Sequence, residues 1–194
     1  MTDKNIPCPT DASIILTYRC PMRCKMCNVW QYPTEKSKEI QPEELRTLPK
    51  LKFINLTGGE PFIREDLDKI VEECYNHSDR IVISTSGWFE DRVVTLAKKF
   101  PNIGIRISIE GLSCKNDELR GHAGGFDKGL RTLLTLKDMG FDAVNIVRLF
   151  EFFKQDYSIF EKIHMKIMRI VFKKGRIIEY AKAAKFFSGS EDRE

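Results

Sequence analysis

Three cysteines, Cys20, Cys24 and Cys27, fall within the ten-residue stretch Arg19-Cys20-Pro21-Met22-Arg23-Cys24-Lys25-Met26-Cys27-Asn28. Thiolates gathered this tightly are soft ligands suited to zinc or to an iron–sulfur cluster. The count narrows the choice. Three thiolates fill three corners of a 4Fe-4S cube and leave one iron without a protein ligand, whereas structural zinc sites and ferredoxins close their coordination with a fourth side chain. An iron left open invites a small molecule, so the spacing points to chemistry more than to scaffolding.

A second stretch, Thr57-Gly58-Gly59-Glu60-Pro61, follows the next strand-like segment. Glycines at 58 and 59 allow positive φ and a close backbone approach to a ligand, Glu60 supplies an anion and Pro61 fixes the turn. The pair formed by Cys20-x-x-x-Cys24-x-x-Cys27 and Gly-Gly-Glu-Pro resembles the two signatures of the radical S-adenosylmethionine (SAM) superfamily. The resemblance covers about residues 10–150 and is nearest to the subgroup of the molybdenum-cofactor precursor enzyme and the peptide- and haem-modifying members.

That resemblance implies a partial parallel (β/α) barrel, a 4Fe-4S cluster on the three cysteines, and S-adenosyl-L-methionine chelating the open iron. It further implies that Gly58, Gly59, Glu60 and Pro61 receive the methionyl amine of SAM, that Met26 meets the adenine, that Ser108 and Glu110 meet the ribose, and that Arg120 pairs with the SAM carboxylate. The activity implied is one-electron reduction of the cluster, cleavage of SAM to methionine and a 5′-deoxyadenosyl radical, and hydrogen abstraction from a substrate. The reductant expected is a flavodoxin or ferredoxin; the substrate, small molecule or peptide, is not readable. Two alternatives stay open: an inactive or truncated form of the fold acting as a binding module, and a closed metal site in which Cys8 joins the other three cysteines.

The elements that would position these residues alternate along the chain. Residues 13–17, 53–57, 81–86, 103–110 and 143–149 read as strands. Helices fill the gaps: one starting at Gln41-Pro42, one with the stripe Leu67, Ile70, Val71 and Cys74, one with Phe89, Val93, Leu96, Ala97 and Phe100, and one with Phe126, Leu130, Leu133 and Leu134, ended by Gly140. Repeated strand–helix units predict an α/β fold with a parallel sheet curling toward a barrel. The chemistry-bearing loops, including Thr85-Ser86-Gly87, all follow strands, which places them at one rim. In the fourth strand Ile103, Ile105, Ile107 and Ile109 alternate with Gly104, Arg106, Ser108 and Glu110, so the isoleucines are expected under the helices and the polar set in the lumen.

Composition bounds the rest. With 194 residues, 42% hydrophobic and 31% charged, the chain is expected to form one soluble, cytoplasmic domain without a membrane span. Cys74 and Cys114 read as ordinary thiols. A net charge of +4 gives nucleic-acid binding no support, although residues 148–187 hold ten Lys or Arg against four acids, read as a solvated helix face. The division expected is an extension over 1–11, the core over 12–149 and an irregular, mainly helical basic segment over 150–194. A helix near 151–174 and at best a strand at 176–180 are expected there. That segment is expected not to complete the barrel, which makes the chain either a minimal enzyme with an open site or a truncated or frame-shifted core, and to leave exposed a sheet edge prone to self-association.

Overall fold

The computed structural model describes residues 8–111 and 113–141. Four parallel strands, β1 (Asp11–Ile15), β2 (Phe53–Thr57), β3 (Ile81–Thr85) and β4 (Gly104–Ile107), lie side by side in chain order. Between them run α1 (Leu67–Tyr75) and α2 (Glu90–Lys99), and α3 (Ser113–Arg120) and α4 (Gly125–Asp138) follow β4. This is the α/β, parallel, strand–helix order that the sequence predicts.

The core lies between the sheet and the helices. Leu16, Ile54, Leu56, Ile81, Ile83, Ile105 and Ile107 face Leu67, Ile70, Val71 and Cys74 of α1, Val93, Leu96 and Ala97 of α2, and Phe126, Leu133 and Leu136 of α4. Burying each such aliphatic side chain contributes about 1.5–3 kcal/mol. Gly140 ends α4 at φ +74°, the left-handed cap expected there. The opposite face of the sheet is mixed: Ser13, Asn55, Ser84 and Arg106 alternate with the buried set, and the apolar Ile15, Phe53 and Val82 share their side.

Several bounds differ from the reading of the sequence. Strand β1 begins and ends two residues early, though Leu16 N–H still donates to Thr57 O at 2.9 Å. Strand β4 ends at Ile107, although the Ser108 N–H still donates to Thr85 O at 2.9 Å, and the Glu110 N–H turns to the Asn116 side chain at 2.9 Å. The segment after Gln41 is a 3-10 helix, Pro42–Thr47, with Glu44 accepting from the Gln41 N–H at 2.6 Å. Helix α3 was not foreseen, since its only buried residue is the polar Asn116 and no apolar stripe marks it. The expected elements at 143–149, 151–174 and 176–180, the basic stretch 148–187 and the unit 150–194 lie outside the described residues. No helix among the described residues is long and apolar enough to cross a membrane.

Candidate active site

The cysteine loop leaves β1 between two backbone supports. On one side it is zipped to the turn after β2, with Gly59 N–H donating to Thr17 O at 2.6 Å and Glu60 N–H to Arg19 O at 2.9 Å. A Cβ at Gly58 would sit 2.4 Å from Thr17 O, and one at Gly59 would sit 2.3 Å from Arg19 O. The close approach read from the glycine pair is thus made to the cysteine loop's own backbone. On the other side Arg23 N–H donates to Arg120 O at 3.0 Å and Lys25 N–H to Leu119 O at 2.8 Å, docking the loop on the end of α3. Gly121, at φ +63°, makes room, because a Cβ there would sit 2.3 Å from Arg23 O. The Trp30 indole N–H donates to Cys27 O at 2.8 Å, and the Arg23 guanidinium lies 5.0 Å from the Trp30 ring centroid.

Beneath the loop sits a buried ionic network. Glu39 accepts from Arg19 Nε and Nη2 at 2.7 Å each and from Thr34 Oγ1 at 2.7 Å, with Thr17 Oγ1 also donating to it. Arg64 Nη1 lies 3.4 Å from the same carboxylate and donates to Leu16 O at 3.0 Å. Burial pushes the Glu39 carboxyl up, but the bonds from Arg19, Thr17 and Thr34 outweigh it and bring the pKa down to about 2. This network fixes Thr17 and Arg19, the residues that lead into Cys20.

The loops meet around a cavity of about 240 Å³ at the carboxyl ends of the strands. Cys20, Cys24 and Cys27 line it, together with Met26, Gly58, Gly59, Ser108, Glu110 and Arg120. Arg120 spans two of these, with Nη2 donating to Glu110 Oε1 at 3.1 Å and Nη1 lying 3.6 Å from Cys24 Sγ. Its Nε is buried without a partner. Glu60 and Pro61 are buried behind the lining, Glu60 only 1% exposed. The Glu60 carboxylate accepts from Thr85 Oγ1 at 2.7 Å, Ser86 N–H at 2.8 Å, Ser86 Oγ at 2.5 Å and Phe62 N–H at 3.2 Å. It ties the loop after β2 to the loop after β3.

All three thiols border one cavity, and a set of soft thiolates is the kind of donor set that could hold an iron–sulfur cluster. Cys8 is exposed and is not part of the lining. Burial pushes the Cys20 thiol up to about 11, the nearby Glu60 charge adding to the shift, so metal uptake there must release a proton.

Sequence reasoning did not single out Trp30, Glu39, Asn116, Asp117 or Gly121. Asp117 accepts from Gly124 N–H at 2.6 Å and Phe126 N–H at 2.8 Å, capping a helix whose own N-cap is a glycine. The run Gly121-His122-Ala123-Gly124-Gly125 was a legible break, and a cap acceptor upstream of it was the available signal.

Comparison with known proteins follows the same lines. A family model described as the Radical SAM superfamily matches residues 14–163. Fe-coproporphyrin III synthase of Methanosarcina barkeri is 32% identical over 137 residues, covering 64% of this chain and 33% of that protein. Mycofactocin maturase MftC of Mycobacterium tuberculosis is 28% identical over 153 residues, covering 74% of this chain and 38% of that protein. Among solved structures, Streptococcus suis SuiB bound to S-adenosylmethionine superposes with a TM-score of 0.64 at 18% identity, over 81% of this chain and 37% of that one. The chain spans about a third of the length of these relatives. The family match, which takes in both the cysteine loop and the Gly-Gly-Glu-Pro turn, shows that the chain belongs to the radical SAM superfamily, whose cofactors are a 4Fe-4S cluster and S-adenosylmethionine.

Proposed function

We propose that Cys20, Cys24 and Cys27 hold a 4Fe-4S cluster with one open iron, and that SAM binds there in the cavity the thiols share with Gly58, Gly59, Ser108, Glu110 and Arg120. That shared cavity is the observation that carries the reading. When bound, the two cofactors supply a one-electron cleavage that yields methionine and a 5′-deoxyadenosyl radical able to remove a hydrogen atom from a substrate.

The chain's own residues orient and shield. Arg120, already facing Cys24, offers its guanidinium to the SAM carboxylate, and Ser108 and Glu110 offer acceptors to the ribose hydroxyls. Met26, 49% exposed at the mouth, covers the adenine. The carbonyls of the glycine turn receive the amine. Glu60 acts through the loops it fastens, holding Thr85 and Ser86 against the turn. Exposed Cys27 lies nearest solvent among the three ligands and gives a flavodoxin or ferredoxin its point of electron entry.

SuiB has been solved bound to a precursor peptide, SuiA. A peptide or a small molecule in a reducing cytoplasm is accordingly the substrate class proposed for this chain, with residues 12–149 as the catalytic core and 150–194 as a separate basic segment. Anaerobic reconstitution followed by electron paramagnetic resonance tests the reading. The reduced protein is expected to give a cluster signal that shifts on adding SAM, lost in Cys20→Ala, Cys24→Ala and Cys27→Ala but kept in Cys8→Ala. Loss of the cluster in Cys8→Ala would point instead to a closed four-cysteine site.

A further inference from the structure

Arg120 is the last residue of α3, and the cysteine loop is fastened to it. The bonds from Arg23 N–H to Arg120 O at 3.0 Å and from Lys25 N–H to Leu119 O at 2.8 Å flank Cys24 in the chain and bring the end of the helix against the middle cysteine. Across that junction Arg120 Nη1 lies 3.6 Å from Cys24 Sγ, within reach of the large sulfur atom. Cys24 is the most buried of the three thiols, at 7% exposed, and the Arg120 side chain is 14% exposed. Water screens a cation and a sulfur poorly at such a depth.

Cys24 is a free thiol in this structure; as a cluster ligand it becomes a thiolate, and the guanidinium N–H then donates to a ligand sulfur. Hydrogen bonds to the sulfurs, net charge and solvent exposure are the levers by which a protein sets a cluster's reduction potential. Taking up one electron adds one negative charge to the cluster and its thiolates. A positive charge in contact with them stabilises that reduced form more than the oxidised one. Glu110 Oε1 accepts from Arg120 Nη2 at 3.1 Å and offsets part of the guanidinium charge. The other cations of the loop are directed elsewhere, Lys25 to Glu118 at 2.7 Å and Arg23 over the Trp30 ring.

We propose that Arg120 sets the reduction potential of the cluster, raising it through its contact with Cys24 Sγ, and that Glu110 limits the rise as the counter-charge. The inference rests on the reading that Cys20, Cys24 and Cys27 hold a cluster. The electron comes from the flavodoxin or ferredoxin of that reading and stays on the cluster, with no bond made or broken.

The full chain, anaerobically reconstituted, is titrated with dithionite through redox mediators in the absence of SAM, and electron paramagnetic resonance reports the reduced fraction. Leaving SAM out separates this role of Arg120 from its pairing with the SAM carboxylate. At the wild-type midpoint the ratio of reduced to oxidised cluster is expected to fall about tenfold or more in Arg120→Leu, which is about 59 mV for one electron, and to fall less in Arg120→Lys. In Glu110→Gln the same ratio is expected to rise about threefold or more. Opposite shifts from the two halves of one ion pair are not produced by loosened packing. The proposal is overturned if Arg120→Leu keeps the wild-type potential, or if Glu110→Gln leaves it unchanged or lowers it; the second variant decides the matter where Arg120→Leu fails to assemble a cluster. Wild-type protein without bound iron and sulfide after reconstitution would sink the cluster reading and the proposal together, whereas a loaded cluster indifferent to Arg120 and Glu110 would sink the proposal alone.

Discussion

The Glu60 carboxylate receives both the backbone N–H of Ser86, at 2.8 Å, and its hydroxyl, at 2.5 Å, from a position that is 1% exposed. An ionised acceptor serving several donors in a dry setting is strongly held, and its removal leaves those donors unpaired. Glu60→Ala is expected to lower the unfolding free energy by about 3 kcal/mol and to weaken SAM binding roughly tenfold or more by releasing the loops around the cavity. Urea unfolding and equilibrium dialysis report the two effects. Weakened SAM binding with an unchanged urea midpoint would show that the carboxylate acts on the ligand directly.

The glycine beside Arg120 offers a sharper contrast. Gly121 and Gly140 both have positive φ, +63° and +74°, but a Cβ at Gly121 would lie 2.3 Å from Arg23 O, while at Gly140 nothing lies within 4 Å. Left-handed backbone costs a non-glycine residue about 1–2 kcal/mol at either site. Only Gly121→Ala should also push the cysteine loop away, so its iron content after anaerobic reconstitution should fall below half that of Gly140→Ala. Equal iron in the two variants would mean that the loop does not depend on this docking.

Acid should unfasten the network under the loop. The Glu39 carboxyl, ordinarily near 4.5, is brought down to about 2 in the folded protein, so its stabilisation is fully present above pH 4.5 and is lost as pH falls toward 2. The amount at stake is on the order of 3 kcal/mol. Denaturant unfolding of wild type and Glu39→Gln between pH 6 and 2 should show the gap between them close over that window. A gap independent of pH would show that Glu39 is not held as a carboxylate.

The strands and apolar stripes were legible because burial on one side of a sheet imposes a simple periodicity, as Ile105 and Ile107 alternating with Arg106 and Ser108 illustrate. The cysteine loop and the glycine turn, which the structure brings to one cavity, stood out in the sequence because they set particular residue types at short spacing. What supports them was not. Asn116 and Asp117 act on backbone groups six to nine residues away, at Glu110, Gly124 and Phe126, and Glu39 acts on Arg19 from twenty residues along the chain, contacts without any periodic signature. Gly59 illustrates a subtler limit: the need for glycine could be read, but the atom that imposes it, Arg19 O, belongs to a chain segment distant in sequence.

The most direct measurement is the formation of 5′-deoxyadenosine. Anaerobically reconstituted protein incubated with SAM and dithionite, with products separated by chromatography, is expected to release 5′-deoxyadenosine and methionine in equal amounts, and Cys24→Ala to release neither. A wild-type protein that carries its full complement of iron and sulfide, binds SAM and still yields no 5′-deoxyadenosine would contradict the account.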